Sequence, residues 1–341
     1  MDDAVKDEAT YVSPELSPGK LAYLSSGLDA VQGWLVPSTA LYLAGLEQAQ
    51  RGAVAGGLCE IGVHRGKSFL AMAIDAPAGD AAVAIDVFDL QHLNEDGTSN
   101  RALDDFRDNL RSWGLDDRVE IVQGSSLELE ADGFLDAGPR FRLFSVDGGH
   151  GADYVLNDLR IAEATLAPGG VVAADDVFNI HWLGVCTGVF RYFHSGGTLV
   201  PFALIPNKLL LTDPGSVDAN RERMRELFAA GLTKTDVPML DGVIDVYGDV
   251  PWELVDDAGD RAPLQRDADS VDAVRAELTG AQLELARLRT RLREVQDDKR
   301  TLQRRVRRLR EAAQGAPGAP PAEAPSGRLR RKARALLRAG R

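Results

Sequence analysis

The sequence contains little cysteine, with only two such residues among 341. Cys59 and Cys186 give no disulfide framework of the kind that stabilises small secreted domains. The sequence also has no apolar run of the roughly 20 residues that a transmembrane helix needs, and it shows no signal-peptide pattern. We therefore expect a reducing, cytoplasmic setting in which any membrane contact is peripheral.

Two familiar nucleotide-binding motifs are missing from the stretch Gly57–Gly66, GLCEIGVHRG. Its glycines fit neither the GxGxxG spacing of dinucleotide-binding folds nor the full GxxxxGK(S/T) spacing of phosphate-binding loops, so neither class is supported. The stretch is typical of a strand that ends on Glu60, a turn containing Gly62 and Gly66, and a following helix. Glycine lets the backbone approach a ligand closely, and the helix N-terminus offers N–H groups to that ligand.

Positive charge is scarce outside the C-terminal part of the chain. Residues 1–265 contain 19 Lys and Arg against 42 Asp and Glu, a net charge of −23. Residues 266–341 contain 20 against 10, a net charge of +10. The acidic part disfavours nucleic acid as the main substrate, whereas the basic part suits an anionic surface.

Apolar periodicity predicts an α/β fold. After the strand that ends on Glu60, the strand candidates are Val83–Phe88, Val119–Gln123, Phe141–Val146, 171–176, Leu199–Ile205 and Lys208–Thr212. Helical patterns cover Leu21–Trp34, a segment from Pro37, Ala102–Trp113 and Asp153–Leu166. Pro206 and Asn207 between the last two strands predict a hairpin. We therefore predict a doubly wound, mostly parallel seven-stranded sheet with one antiparallel strand at its edge.

Polar residues follow five of the predicted strands. They are Glu60 and Gly62, Asp86, Ser125 and Ser126, Asp147, and Asp175 with Asp176. Ligands of doubly wound sheets bind at the carboxyl ends of the strands, so we predict one site there. Asp86, after the second strand, is placed to accept hydrogen bonds from ribose hydroxyls. A loop acid or helix cap is the alternative for this residue.

Three of these carboxylates, Asp147, Asp175 and Asp176, predict a divalent metal site. Converging carboxylates repel one another, and a hard cation such as Mg²⁺ relieves that repulsion. Contact with a ligand amine or capping of the next helix are the alternatives. His150, in DGGHGADY, is the candidate general base, because histidine can accept a hydroxyl proton near neutral pH. A structural histidine is the alternative, and His181 is a second candidate base.

A strict heptad pattern occupies residues 270–311. Both core positions are apolar through six heptads except at Lys299. Such a narrow apolar seam predicts a coiled coil and therefore a homo-oligomer. A single helix packed along the preceding domain is the alternative.

The remaining segments are assigned from composition. We predict an N-terminal arm and helix over residues 1–30, an α/β domain over 31–250, an acidic linker over 251–269 and a Pro/Ala/Gly linker over 312–327. Residues 328–341 hold seven cations and no acid, which suits peripheral contact with an anionic membrane. A solvated tail and polyanion binding are the alternatives.

Several of these motifs together resemble a known enzyme family. EIGVHRG, AIDVF, the GSS after the third strand, VDGGHGADYVLNDL and LAPGGVVAADDV are similar to motifs of class I S-adenosylmethionine-dependent methyltransferases. The similarity is to the small-molecule and sugar O-methyltransferase group, which GWL at Gly33–Leu35 also matches. The resemblance covers about residues 30–215 and implies a Rossmann-like methyltransferase fold with S-adenosyl-L-methionine as cofactor.

The resemblance also implies residue roles. The cofactor would contact Glu60, Gly62 and Gly66 with its methionine part, Asp86 with its ribose, and Gly124, Ser125 and Ser126 with its adenine. Catalysis would involve His150 and Asp147, with Asp147, Asp175 and Asp176 holding a Mg²⁺ ion that orients the acceptor hydroxyl and lowers its pKa. Asp176 stands where catechol-type enzymes have Asn, and no lysine base is evident nearby.

The predicted function is methylation of a sugar or glycan-type hydroxyl, with the C-terminal segments holding an oligomer at the inner membrane face. The predicted partners are a small-molecule or glycan acceptor and a second copy of the chain, without nucleic acid. One alternative is a natural-product or metal-dependent hydroxylase-like enzyme of the same fold. Another is a non-catalytic coiled-coil scaffold whose α/β domain binds a nucleotide.

Overall fold

The computed structural model describes residues 16–90, 93, 101–129 and 141–250. The first fifteen residues of the predicted arm lie outside the described residues, as do both linkers, the coiled coil and the basic tail. Those assignments stay predictions. Within the described ranges, no helix combines the length and the apolar character needed to cross a membrane.

The described helices and strands alternate over most of the domain. The helices are α1 (Pro18–Ala22), α2 (Leu28–Ala30), α3 (Pro37–Gln50), α4 (Lys67–Ala73), α5 (Ala102–Ser112), α6 (Ala152–Thr165), α7 (Leu183–His194) and α8 (Val217–Leu227). The strands are β1 (Gly57–Ile61), β2 (Ala82–Asp86), β3 (Glu120–Gln123), β4 (Phe141–Val146), β5 (Leu166–Asp175), β6 (Val200–Ile205), β7 (Lys208–Thr212), β8 (Leu232–Met239) and β9 (Gly242–Tyr247).

All of these strands form one sheet in the order β3-β2-β1-β4-β5-β7-β6-β9-β8. The first five in that order are parallel, and β7 is antiparallel to both β5 and β6. The predicted mostly parallel α/β fold and the hairpin at Pro206 and Asn207 are therefore confirmed. The parallel register brings the carboxyl ends of β1 to β5 to one edge of the sheet.

The predicted number of seven strands is wrong, because the described residues already form a sheet of nine strands. The antiparallel strand β7 lies inside the sheet, and β9 and β8 continue it beyond β6. The sequence of β8, LTKTDVPM, is polar, mostly exposed and contains Pro238, as is common in edge strands. This polar sequence does not show the apolar alternation that predicts a strand, so β8 was missed. The apolar segment DGVIDVYG that follows it contains β9.

Both faces of the sheet are covered by apolar cores. Alternation along β1 sends Leu58 into the core beneath α3, α4 and α5, and Cys59 into the core beneath α6 and α7. Because both faces are filled by side chains, the carboxyl edge of the sheet is where a ligand can approach the strands.

Candidate active site

The turn after β1 is built around two glycines with positive φ. Gly62 has φ +90°, and a side chain there would overlap the carbonyl oxygen of Asp147. Gly66 has φ +86° and immediately precedes α4, where a side chain would meet the ring of Phe106. Glycine is therefore required at both positions, because the turn must pass close to the end of β4 and to α5.

A cavity of about 490 Å³ lies at the carboxyl ends of the parallel strands. This volume is in the range of cofactor and ligand sites. Most of the predicted site residues line it, namely Gly62, Asp86, Gly124, Ser125, Ser126, Asp147, His150, Asp175 and Asp176. The exceptions are Glu60 and Gly66. We call this space the main cavity.

Glu60 lies behind the wall of the main cavity. Its side chain is fully buried and accepts a hydrogen bond from Ser68 Oγ at 2.6 Å, and Ser68 itself lines the cavity. Burial, reinforced by the nearby charge of Asp147, raises the pKa of Glu60 to about 8. Glu60 is thus a neutral support for Ser68 near pH 7, where a direct cofactor contact was predicted.

Asp86 ends β2 with its carboxyl group held in place by backbone donors. Its Oδ2 accepts from the His64 N–H at 2.7 Å, and its Oδ1 accepts from the Phe88 N–H at 2.5 Å. Burial raises the pKa of Asp86 against these hydrogen bonds. Each carboxylate oxygen has a second lone pair, so the group can accept further hydrogen bonds from ligand hydroxyls in the cavity.

A lysine that the sequence analysis missed lies among the acids. Lys208 is fully buried, with Nζ 3.1 Å from Asp147 Oδ2 and 3.3 Å from Asp175 Oδ1. Burial lowers the pKa of Lys208, but the charges of Asp147 and Asp175 outweigh it and raise the pKa above the usual value. Asp175 pairs with Lys208 in the β5–β7 register, so the pairing of β7 with β5 places this lysine in the site.

The predicted Mg²⁺ site at Asp147, Asp175 and Asp176 does not fit this arrangement. The Lys208 ammonium group already lies between the carboxylates of Asp147 and Asp175. Across the described ranges, no group of three or more His, Cys, Asp or Glu side chains is arranged to hold a metal ion. Burial and the neighbouring Asp147 charge raise the pKa of Asp175 well above its usual value. The Lys208 charge therefore relieves the repulsion that predicted a metal.

His150 and Asp176 form a pair at the cavity wall. His150 Nε2 lies 3.3 Å from Asp176 Oδ2, and the imidazole stacks on Trp182 at a centroid distance of 3.9 Å and an interplanar angle of 9°. Asn179 and Asn207 each donate to Asp176 Oδ1 at 2.8 Å.

These partners keep the Asp176 carboxylate negatively charged. Burial raises its pKa, but the hydrogen bonds from His150, Asn179 and Asn207 outweigh it and lower the pKa to about 2. The imidazole is therefore oriented by a stacked ring and faces a stable carboxylate. His181, the second candidate base, is exposed and does not line the main cavity.

Asp158, on α6, lies against the backbone of the DGGH loop at Gly148. The side chain is fully buried, and any side chain at Gly148 would meet its carboxyl group. Burial raises the pKa of Asp158 to about 7, against weaker opposite effects of Ser126 and Asn157. The folded protein therefore binds a proton here that the unfolded chain releases near pH 4.

Asp158→Asn is expected to stabilise the protein at high pH. Because the pKa of Asp158 is higher in the folded protein than in the unfolded chain, the protonated side chain makes its full contribution to stability near pH 4. That contribution is lost as the pH rises to about 7. The variant keeps a neutral side chain, so its advantage in unfolding free energy should grow to roughly 2–4 kcal/mol at pH 8. Urea denaturation at pH 4 and pH 8 measures this. Asp153→Asn, on the exposed surface of the same helix, is the control, and an equal advantage of Asp158→Asn at both pH values would contradict the assignment.

Residues 59–177 match the model of a family described as a methyltransferase domain. Over these residues the predicted resemblance of the motifs to S-adenosylmethionine-dependent methyltransferases is confirmed. The predicted enzyme class, a methyltransferase, is confirmed with it. No curated protein matches the chain.

Three solved structures are similar to this chain. The O-methyltransferase from Bacillus cereus in complex with SAH is 18% identical, with 58% of this chain and 92% of that chain covered and a TM-score of 0.44. TomG from Streptomyces achromogenes, an O-methyltransferase of tomaymycin synthesis in complex with SAM, is 19% identical, with 58% and 90% covered and a TM-score of 0.41. CalS11, a TDP-rhamnose 3′-O-methyltransferase of calicheamicin biosynthesis, is 17% identical, with 61% and 99% covered and a TM-score of 0.40.

Proposed function

We propose that the chain methylates a hydroxyl oxygen of a sugar-containing small molecule and binds S-adenosyl-L-methionine in the main cavity. The observation that carries this proposal is the convergence of Asp86, Ser126 and His150 from three different strand ends on one cavity. Asp86 provides a carboxylate for the ribose hydroxyls. Gly124, Ser125 and Ser126 provide the edge for adenine, and the Gly62 turn lets the backbone approach the methionine part.

When bound, S-adenosyl-L-methionine supplies a methyl group on a positively charged sulfur. The protein's main contribution is to hold the acceptor oxygen in line with that methyl group and to remove the hydroxyl proton. His150 is the base in this proposal. Its Nε2 faces Asp176, so Nδ1 carries the lone pair of the neutral ring and accepts the proton. The Asp176 carboxylate then stabilises the protonated imidazole.

Lys208 takes the charge-balancing role that the sequence analysis gave to a metal ion. Its ammonium group neutralises Asp147 from inside the protein and fixes the carboxylate that faces the main cavity. Asp147 is then held as a hydrogen-bond acceptor for the ligand. On this basis the reaction requires no divalent cation.

The cofactor site is tested by titrating S-adenosyl-L-methionine into Asp86→Ala in a calorimeter. Loss of two hydrogen bonds to a charged carboxylate is expected to weaken binding on the order of 100-fold. Asp116→Ala, an exposed carboxylate that does not line the cavity, is the control and should bind like the wild type. Wild-type affinity in Asp86→Ala, or no binding by the wild type, would refute the assignment.

A further inference from the structure

Two consecutive residues of α6 contact two walls of the main cavity. Asn157 Nδ2 donates to the carbonyl oxygen of Ser126 at 2.8 Å. The Asp158 carboxyl group lies so close to Gly148 that a Cβ atom there would be 2.8 Å from Oδ2. Ser126 and Gly148 line the main cavity, whereas Asp158 is fully buried and does not. A change in the charge of Asp158 therefore acts on the cavity from inside the protein.

The surroundings of the Asp158 carboxyl group suit its neutral form. Ile61 Cγ2 approaches the same point of Gly148, so the carboxyl group lies beside an apolar side chain. Val155 and Ile161, three positions to either side of Asp158 on the same helix, are buried in the apolar core. Within the described ranges, neither carboxyl oxygen has a hydrogen-bond partner. A carboxylate is costly in such a place, whereas a protonated carboxyl group is tolerated.

The titratable groups of the neighbouring elements give Asp158 no counter-ion. Cys59, on β1, is neutral, because burial raises the pKa of its thiol well above the usual value and the charges of Glu60 and Asp158 raise it further. The other titratable groups on elements beside α6 are Glu128, Asp147, His150, Asp175, Arg191 and Tyr192. None of these described groups makes a hydrogen bond to the Asp158 carboxyl group.

Ionisation of Asp158 therefore disturbs the two cavity walls beside it. A buried carboxylate without donors or a counter-ion must reach water or draw donors toward itself, and either change moves the segments around it. Those segments include Gly148 and the turn that contains Ser126. A ligand that needs both walls in place binds better to the protein with protonated Asp158, so binding and protonation favour each other.

We propose that protonated Asp158 is a positioning residue for the cofactor site and that cofactor binding is coupled to uptake of a proton at this side chain. Near pH 6 the side chain is protonated and both walls are in place. As the pH rises above 7, Asp158 ionises and the affinity for the cofactor falls. This inference rests on the proposed function, because it concerns the cofactor part of the same site.

The test measures binding of S-adenosylhomocysteine to the full chain by calorimetry at pH 6 and pH 8. This ligand lacks the positively charged sulfur, which limits its direct attraction to a charge on Asp158. Because burial raises the pKa of Asp158 to about 7, exclusive binding to the protonated form predicts an affinity about tenfold weaker at pH 8. Asp158→Asn should lack this loss, whereas Asp153→Asn, exposed on the same helix, should retain it.

The ratio of the wild-type dissociation constant to that of Asp158→Asn is the decisive quantity. Titration of Glu60 or of the ligand affects both proteins alike and cancels in this ratio, which should rise about tenfold from pH 6 to pH 8. A ratio that stays constant between the two pH values would overturn the inference.

Proton uptake by the wild type provides a second measurement that needs no variant. The binding heat is measured at pH 7.5 in buffers of different ionisation heat, and we expect uptake of about 0.7 proton per ligand bound. Binding without proton uptake would also overturn the inference. Failure of the wild type to bind S-adenosylhomocysteine at any of these pH values would instead contradict the proposed function.

Discussion

His150→Gln is expected to lower kcat by roughly 10²–10⁴-fold, the usual contribution of a positioned general base. Glutamine keeps a donor for Asp176 but cannot take a proton from the acceptor. The cofactor site lies at Asp86 and the Gly62 turn, so the affinity for S-adenosyl-L-methionine should stay within about threefold of wild type. Transfer of a labelled methyl group, measured beside calorimetric cofactor titration, separates these two effects.

The matched control for this prediction is His181→Gln. His181 follows in the same region of the chain but is exposed and does not line the main cavity, so its substitution should leave kcat unchanged. If His150→Gln retained wild-type kcat, or lost activity only through weaker cofactor binding, His150 would not be the base.

Lys208→Met is expected to lower the free energy of unfolding by about 3–5 kcal/mol, the usual cost of removing one partner from a buried ion pair. The variant leaves the carboxyl groups of Asp147 and Asp175 facing each other without the ammonium group between them. Urea denaturation of Lys208→Met measures the loss, and Lys234→Met, on the exposed edge strand β8, is the control.

The same arrangement predicts the response of the wild-type enzyme to chelation. Because Lys208 balances the acids, methyl transfer in the presence of EDTA should equal that in the presence of Mg²⁺. Loss of turnover with EDTA and its recovery with Mg²⁺ would show that a metal ion displaces Lys208 and would contradict the assigned role.

The strand-end residues were predictable because parallel strands end at one edge of a sheet. An apolar strand followed by a polar residue is visible in the sequence, and Asp86, Ser126 and Asp147 all lie where that rule places them. The rule predicts where a strand ends, but it does not predict the direction in which a side chain near that end points. Glu60 lies within β1 and its side chain turns into the protein toward Ser68, so it does not reach the cavity.

Lys208 was not predictable from its own neighbourhood in the sequence. It is the first residue of an apolar strand, KLLLT, and becomes part of the site only through the β5–β7 register. Asn207 reaches Asp176 for the same reason. Contacts of this kind depend on pairing between segments more than thirty residues apart. The metal site stays a prediction, made from the acids alone and without the cation that tertiary structure brings to them.

We propose that the main cavity binds S-adenosyl-L-methionine across the strand ends without a metal ion. A crystal structure of the full chain grown with S-adenosylhomocysteine and Mg²⁺ is the decisive experiment. We expect ribose hydroxyls within hydrogen-bonding distance of Asp86, adenine against Gly124 to Ser126, and Lys208 still between Asp147 and Asp175. A ligand bound elsewhere, or a Mg²⁺ ion between those aspartates with Lys208 displaced, would contradict it.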